Sequence, residues 1–135
     1  MLSLVPKDKV GRAWPYVSAD LEKLLEGPIK LWTPESILEA LEADLMQLWL
    51  APRGGFVGGF IITELRVYPC LKILHMILAS GRHLLHTAPE VLEVLENFAK
   101  SQGAGLIELS GRPGWKREFE KYNYTQEFVT LVKRI

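Results

Sequence analysis

The chain has 135 residues, of which 48% are hydrophobic and 24% are charged, a balance typical of one globular domain and unlike that of a disordered chain. Its 16 Lys and Arg residues offset 16 Asp and Glu residues, so no excess of positive charge favours a nucleic acid. The single cysteine, Cys70, cannot form an internal disulfide, and neither a zinc-ligand spacing nor a membrane-spanning apolar run is present. We therefore expect one domain over residues 1–135, in the reducing cytoplasm, with no metal, no nucleic acid and no membrane partner.

The N-terminal residues predict a short strand and then a helix that is interrupted once. Leu2 to Val5 is apolar, and from Val10 to Leu25 apolar residues recur every three or four positions, which is the period of an amphipathic helix. Pro15 lacks the N–H group that a helix interior uses, so it should bend or split this helix. Gly27-Pro28 should end it, because neither residue continues a helix comfortably.

A second helix and an antiparallel meander are predicted next. Thr33 is a good N-cap before Pro34, so a helix should begin there and stop near Asp44. The sequence then changes to apolar runs of strand-like composition, separated by residues that break strands. These runs are Leu45–Leu50, Gly55–Val67 and Leu71–Ala79, with turns at Ala51–Gly54 and Tyr68-Pro69. The third run is apolar nearly throughout, as expected for a central strand covered on both faces.

The last third of the chain predicts a helix, a strand, a second helix and a final strand. Thr87 and Glu90 have the spacing of a capping box, so a helix should begin between them and end at Gly103. A strand, helix and strand of this length need a right-handed crossover, which makes the fifth strand parallel to the fourth. The remaining elements are the strand Leu106–Leu109, a helix after Ser110-Gly111-Arg112-Pro113 and the strand Glu127–Val132.

The order of these elements resembles that of the GNAT superfamily of N-acetyltransferases over essentially the whole chain. Three segments look like the second half of many such enzymes: Glu96–Gly103, Leu106–Leu109 and Phe119–Tyr124. The resemblance implies an α/β (α+β) fold with about four helices and a mixed, mostly antiparallel sheet of six to seven strands, whose parallel fourth and fifth strands are splayed. More narrowly, three motifs resemble GNAT-like proteins of tailed phages and prophages: Trp14-Pro15, Tyr68-Pro69 and Gly111–Trp115.

The resemblance implies that acetyl-coenzyme A (acetyl-CoA) is a cosubstrate, with its pyrophosphate at the N-terminus of the helix that begins near Ala88. In the family, the preceding loop reads Gln or Arg, two residues, Gly, one residue, and then Gly or Ala. The aligned stretch here is His83-Leu84-Leu85-His86-Thr87-Ala88, in which Ala88 fits, His83 is a polar substitute and His86 replaces a glycine. Backbone groups around Leu78 and Ala79 of the fourth strand would contact the pantetheine arm and polarise the thioester carbonyl.

Acyl transfer to an amine needs a base, because an amine is mostly protonated at neutral pH. Glu64 and His75 are the candidates, since each is a polar residue within an apolar strand. A solvent-facing Glu64 and a hydrogen-bonded core His75 are the alternatives without catalysis. The family tyrosine that returns a proton to the leaving thiolate aligns with Phe119, so Tyr122, one helical turn away, is the candidate acid, with core packing as its alternative.

Three functions follow as hypotheses. The first is an acyl-CoA dependent N-acyltransferase that acts on a primary amine by direct attack. The second is a GNAT-like phage protein that has lost catalysis and binds a phage structural protein during assembly or in the virion, because His86 and Phe119 replace two expected residues. The third is a domain that binds another acyl carrier, which differs from the first only in the molecule in the groove. A homodimer is compatible with each.

Overall fold

Helices cover both faces of a mixed sheet in the computed structural model, which describes residues 1–27, 30–54, 56–81, 84, 86–111 and 113–135. The strands are β1 (Ser3–Leu4), β2 (Met46–Arg53), β3 (Phe56–Val67), β4 (Lys72–Ser80) and β5 (Leu106–Leu109). The α-helices are α1 (Val10–Ala13), α2 (Pro15–Leu24), α3 (Pro34–Glu42), α4 (Ala88–Ser101) and α5 (Gly114–Glu120), with a 3₁₀-helix at Lys7–Lys9. The strands lie in sequence order across the sheet, and the predicted parallel pairing of β4 with β5 is confirmed, the other neighbours being antiparallel.

Each face of the sheet carries its own apolar cluster. Alternate strand residues point to opposite faces, so Trp49 and Ile61 lie in one cluster whereas Leu48 and Ile62 lie in the other. On the first face, which we call the α4 face, the helix contributes Val91, Leu95 and Ala99. On the second, the α1–α3 face, the helices contribute Val10, Ala13, Val17, Leu21, Ile37 and Leu41. The sheet therefore separates two apolar cores, one on each face.

The predicted interruption of the first helix and the predicted start of the next are both confirmed. The first helix splits into α1 and α2, and α2 begins at Pro15, where a missing N–H is harmless. At the start of α3, the Ser36 N–H donates to Thr33 Oγ1 at 3.1 Å, and the Thr33 N–H donates to Ser36 Oγ at 2.9 Å. This reciprocal pair is a capping box, which fixes the start of α3 after Thr33.

The predicted turn at Ala51–Gly54 is wrong, because β2 continues to Arg53. The pairing of β2 with β3 shifts register between Ala51 and Pro52, which is a β-bulge. The residue left outside the regular ladder is Gly58 of β3, and Pro52, opposite Val57, is tolerated beside this bulge. The second predicted turn is confirmed by backbone hydrogen bonds between Tyr68 and Leu71, at 2.9 and 3.4 Å.

The prediction of six to seven strands and four helices is also wrong, since the described residues form five strands and five α-helices. The additional helix arises because Pro15 divides one predicted helix into two. The missing strand is Glu127–Val132, which has extended composition but no strand neighbour in the described residues. Its side chains point into solvent, with Phe128 82% and Leu131 90% exposed. A strand requires a partner for its backbone groups, and sequence composition alone does not supply one.

Helix α4 begins at Ala88 as predicted, but without the predicted capping box. No side-chain capping bond forms at Thr87, whose φ of −112° and ψ of 23° differ from the extended conformation that an N-cap usually adopts. Thr33 before α3 has that extended conformation, with φ −109° and ψ 159°. The start of the helix predicted from the Thr-x-x-Glu spacing is confirmed, whereas the predicted capping bond is wrong.

Helices α3, α4 and α5 end in the same way, each with one residue in the left-handed region. These residues are Asp44, Gly103 and Asn123, with φ of 60°, 75° and 68°. The N–H of the following residue then donates back to a carbonyl five positions earlier: Leu45 to Ala40 at 2.9 Å, Ala104 to Ala99 at 2.9 Å and Tyr124 to Phe119 at 3.2 Å. This is the Schellman motif, and it confirms Gly103 as the predicted end of α4.

Two glycine substitutions should have opposite effects on the free energy of unfolding. Gly103→Ala should lower it by about 1 kcal/mol, because a Cβ there meets open space and the cost comes only from the left-handed backbone. Gly11→Ala, also in open space but within α1, should raise it by roughly 0.5 kcal/mol because alanine favours helix. Urea denaturation of both variants measures the difference, and an equal shift in both would contradict the assignment.

Candidate functional site

The groove at the centre of the candidate site lies where β4 and β5 separate. Their pairing runs from Ile73 opposite Leu106 to Met76 opposite Leu109 and stops there. β4 continues to Ser80, so its residues 77–80 face no β5 residue in the part of the chain that the structure describes. Backbone N–H and C=O groups on that edge of β4 are therefore available to a ligand, which is the splayed arrangement expected from the resemblance.

A bulge in β4 coincides with this separation. Ile62 of β3 lies opposite Leu78, but the next residue, Thr63, lies opposite Met76, so Ile77 is an additional residue in β4. A bulge bends its strand and strengthens the local twist. The point at which β4 leaves β5 is thus set by the register of β3 against β4.

Beyond β4, the chain passes very close to the backbone of β3. Gly81 has φ +112°, and a Cβ on it would lie 2.5 Å from the Gly58 carbonyl oxygen. A Cβ on Gly59 would lie 2.5 Å from the Ser80 carbonyl oxygen. Only glycine fits either position, and the short connection from Gly81 then leads to Ala88. The N-terminus of α4 consequently lies at the end of the sheet where the groove opens.

The residues predicted to bind the cosubstrate occupy this end of the molecule in part. Leu78 and Ala79 lie in the segment of β4 beyond the last β5 pair, on opposite faces of the sheet. Ala88 is buried at the first position of α4, Thr87 is half-buried and His86 is exposed. Leu84 is 7% exposed and packs in the α4-face cluster, so its side chain serves the core. His83 and Leu85 lie outside the described residues.

The two predicted bases are neighbours across the sheet. Glu64 of β3 lies directly opposite His75 of β4, and His75 lies opposite Glu108 of β5, so all three share one face. Arg66, two residues after Glu64, shares that face as well. We call these four residues the polar row. Glu108 and Arg66 were not among the residues predicted from the sequence.

Short contacts join the polar row into one unit. Arg66 Nε donates to Glu64 Oε1 at 2.8 Å, and Arg66 Nη1 donates to Glu108 Oε1 at 3.1 Å. His75 Nδ1 lies 2.8 Å from the same Glu108 oxygen, an ion-pair distance, although the angle is not that of a regular hydrogen bond. The His75 side chain is 7% exposed, Glu64 20% and Glu108 31%. With neutral His75, one guanidinium thus faces two carboxylates.

Burial is the main cause that lowers the pKa of His75 below its ordinary value of 6.5, and the positive charge of Arg66 lowers it further. The carboxylates of Glu108 and Glu64 act in the opposite direction without reversing the shift. His75 is therefore neutral at pH 7. A carboxylate beside Nδ1 favours the tautomer that carries the proton on Nδ1, which leaves Nε2 as a proton acceptor.

The predicted acid, Tyr122, is half-buried just after α5, and the aromatic contacts of this region involve other residues. Phe119 packs edge-to-face on Trp115, with centroids 5.7 Å apart, and on Tyr124, at 5.9 Å. Burial, assisted by the negative charge of Glu96, raises the pKa of Tyr124 to about 12. The residue that stands beside Phe119 is thus Tyr124, because the Schellman motif folds it back over the last turn of α5.

The described residues contain neither a candidate metal site nor a helix that could span a membrane. Its His, Cys, Asp and Glu residues nowhere come together in a group of three that would hold a metal ion. Its helices lack the combination of length and apolar character that crossing a membrane requires. The candidate site consists of the groove, the α4 N-terminus and the polar row.

The fold is similar to that of solved acetyltransferases. A ribosomal-protein-alanine N-acetyltransferase from Brucella melitensis biovar Abortus 2308 matches with a TM-score of 0.70 and 14% identity, covering 100% of this chain and 99% of that one. A predicted acetyltransferase from Clostridium acetobutylicum, solved with acetyl-CoA, matches with a TM-score of 0.69 and 14% identity, covering 98% of this chain and 95% of that one. An aminoglycoside acetyltransferase from an uncultured soil metagenomic sample, in complex with sisomicin, matches with a TM-score of 0.71 and 6% identity, covering 100% of this chain and 95% of that one. No protein-family model and no curated protein matches the sequence.

At these identities the likeness shows the fold. It confirms the α+β GNAT-like fold that the resemblance implied, with its parallel β4 and β5. The narrower resemblance to phage proteins gains no support from the three matches described above. Roles for individual residues do not follow from the matches and rest on the geometry of the groove and the polar row.

The pKa of His75 should move in opposite directions when its two charged neighbours are removed. Arg66→Met should raise it, because a positive charge is lost, and Glu108→Gln should lower it, because a negative charge is lost. NMR titration of the imidazole signals measures both shifts. Shifts of the same sign in the two variants would contradict the charge pattern of the polar row.

The lowered pKa of His75 makes the free energy of unfolding depend on pH. Because the folded pKa lies below 6.5, the unfolded chain takes up a proton on this residue first as the pH falls. The contribution of His75 to the free energy of unfolding is thus present above pH 6.5 and is lost as the pH falls below it.

Proposed function

We propose that this chain, acting as a single domain over residues 1–135, is an acyl-CoA dependent N-acyltransferase for primary amines. The observation that carries the proposal is the opening between β4 and β5 beside the N-terminus of α4, with the polar row on the adjacent strand pairs. The fold matches support it, since one of them is named with acetyl-CoA and another is named as an aminoglycoside acetyltransferase.

Acetyl-CoA would bind mainly through backbone groups of this chain. Its pyrophosphate suits the free N–H groups and positive dipole at the start of α4, near Ala88. Its pantetheine arm would add to the unpaired edge of β4 at Leu78 and Ala79, in the manner of an additional strand. His86 stands where the family has glycine, and its side chain is exposed.

The polar row supplies the proton acceptor in this proposal. The neutral amine nitrogen bonds to the thioester carbonyl carbon, and the C–S bond breaks. The base takes the proton that the nitrogen loses on becoming an amide, and the coenzyme A thiolate then takes a proton from the acid. Neutral His75, held by Glu108 and reached directly or through a water molecule, is our first candidate for the base, and Glu64 is the second. Tyr122 is the proposed donor to the thiolate.

The alternative functions differ in what they predict for binding and turnover. A GNAT-like phage assembly protein would neither bind acetyl-CoA nor form product, and nothing in the fold matches favours it. A domain for another acyl carrier would share the groove but not the cosubstrate. Binding and turnover are therefore measured separately.

Acetyl-CoA should bind the wild-type chain in calorimetric titration, and changes at His86 should alter the affinity. His86→Gly should strengthen binding by restoring bare backbone beside the pyrophosphate, whereas His86→Glu should weaken it about tenfold by repulsion of the phosphates. Lys100→Glu, at the opposite end of α4, is the control and should leave the affinity unchanged. Absence of heat with the wild-type chain at high concentration would refute the proposal.

Substitution of the proton acceptor should lower kcat more than it changes KM. His75→Gln should reduce kcat by about 10²-fold or more with a panel of primary amines, which is the usual contribution of a general base. Glu64→Gln should have the smaller effect, and Glu93→Gln on the exposed face of α4 should have none. If neither His75→Gln nor Glu64→Gln changes kcat, the polar row does not supply the base.

A further inference from the structure

The charges of the polar row do not balance, and the row is partly open to solvent. Arg66 is the one guanidinium in contact with the carboxylates of Glu64 and Glu108. With His75 neutral, two negative charges and one positive charge leave the row with one negative charge in excess. The charged side chains are 20% (Glu64), 31% (Glu108) and 37% (Arg66) exposed. A molecule that reaches His75 therefore meets an uncompensated negative charge.

Both carboxylates of the row also keep unused hydrogen-bonding capacity. Arg66 contacts Oε1 of Glu64 and Oε1 of Glu108, and no described residue donates to Oε2 of either carboxylate. The buried Nδ1 of His75 has no regular hydrogen-bond partner among the described residues. A carboxylate oxygen only accepts, and the bond is stronger when its donor is charged. The open positions of the row thus favour a cationic N–H donor, such as an ammonium group.

The two carboxylates flank the imidazole. Glu64 lies opposite His75 on β3, and Glu108 lies opposite it on β5, so one carboxylate stands on each side of β4. Neighbouring strands are about 4.8 Å apart, so each carboxylate is one strand spacing away from the candidate base along the sheet. An ammonium group at either carboxylate is therefore within the length of a short aliphatic chain of an amine nitrogen beside His75.

Helix α3, which covers the same face of the sheet, adds negative charge. It contains Glu35, Glu39 and Glu42 and no Lys or Arg, and all three glutamates are exposed. The residues that line the groove between α2 and α3 include three carboxylates and one basic side chain: Glu22, Glu26, Glu35 and Lys30. The whole chain has a net charge of +0, so this excess is local. A local negative field raises the concentration of cations around α2 and α3.

We propose that the preferred acceptor is a primary amine that carries a second cationic group close to the reacting nitrogen, as a small diamine does. The reacting nitrogen would lie beside Nε2 of His75, and the second cation would donate to the unused oxygens of Glu64 or Glu108. A neutral amine leaves the excess charge of the row uncompensated, and an amine that carries a carboxylate meets repulsion. The inference rests on the proposed acyl transfer for its kinetic test, whereas binding of the amine tests it without turnover.

Three acceptors of equal chain length separate the effect of charge from that of size. 1,4-Diaminobutane, butylamine and 4-aminobutanoate present the same reacting amine with a positive, a neutral and a negative end group. At saturating acetyl-CoA, kcat/KM should be about tenfold higher for the diamine than for butylamine and about tenfold lower for 4-aminobutanoate, with both differences smaller at high salt. The proposal is overturned if butylamine equals the diamine, after allowance for the diamine's two equivalent amines, or if 4-aminobutanoate is preferred.

Two substitutions should move the preference for the diamine in opposite directions. Arg66→Met removes the positive charge and should raise the ratio of kcat/KM for the diamine to that for butylamine, whereas Glu64→Gln removes a negative charge and should bring the ratio towards unity. At about pH 8.5 the imidazole is kept neutral while the amines stay protonated. A general loss of activity cancels in the ratio, and Glu93→Gln, on the exposed face of α4, is the control that should leave it unchanged. The same ratio in all these variants would rule out the row as its source.

NMR titration separates failure of this inference from failure of acyl transfer. With coenzyme A bound and no acetyl group to transfer, 1,4-diaminobutane should shift the His75 imidazole and Glu108 amide signals at about tenfold lower concentration than butylamine. If this order of affinities holds but no amine is acetylated, the acceptor preference stands and the proposed function fails. If both amines bind equally, or neither shifts these signals, the acceptor preference is refuted even where acetylation is found.

Discussion

The bulge at Ile77 in β4 is the constraint on which the candidate site depends. Before it, Leu74 and Met76 lie in the α4-face cluster and His75 points the other way. A regular strand would return Leu78 to the α4 face, but the additional residue shifts it to the α1–α3 face. The bulge therefore places His75 and Leu78 on the same side of the sheet, at the point where β5 stops following β4. The opening and the polar row are two results of one register shift.

The polar row also shows how a buried imidazole is kept in an otherwise apolar sheet. A buried polar side chain is costly unless it has a partner, and His75 Nδ1 lies 2.8 Å from the Glu108 carboxylate, at an ion-pair distance but without regular hydrogen-bond geometry. Arg66 of β3 donates to this carboxylate and also to Glu64. Its guanidinium therefore connects β3 with β5, which are not neighbours in the sheet. Burial and the positive charge of Arg66 keep His75 neutral, against the effect of the two carboxylates, and a neutral imidazole is what a proton acceptor requires.

Local signals in the sequence predicted local structure well. Pro15 and Thr33 marked helix boundaries correctly because their effects act within one turn, and the length of the crossover fixed the direction of β5. The polar row was predicted only in part, since a polar residue in an apolar strand can be noticed but its neighbours depend on register. Glu108 could have been found by aligning the centre of Leu106–Leu109 with His75 in a parallel pair. The strand predicted at Glu127–Val132 failed for the same reason: composition describes a strand, whereas pairing is decided elsewhere in the sheet.

The departures from the GNAT pattern fall where the fold tolerates them. Phe119 is held between Trp115 and Tyr124, so the aromatic ring keeps its packing role without the hydroxyl group. His86 lies on the surface before α4, outside the core. The contacts proposed for acetyl-CoA are made by backbone groups of β4 and α4, and backbone geometry is kept by the register of the sheet and the close approach at Gly81. Backbone geometry held in this way does not depend on particular side chains, and the fold is shared with matches at 6% and 14% identity.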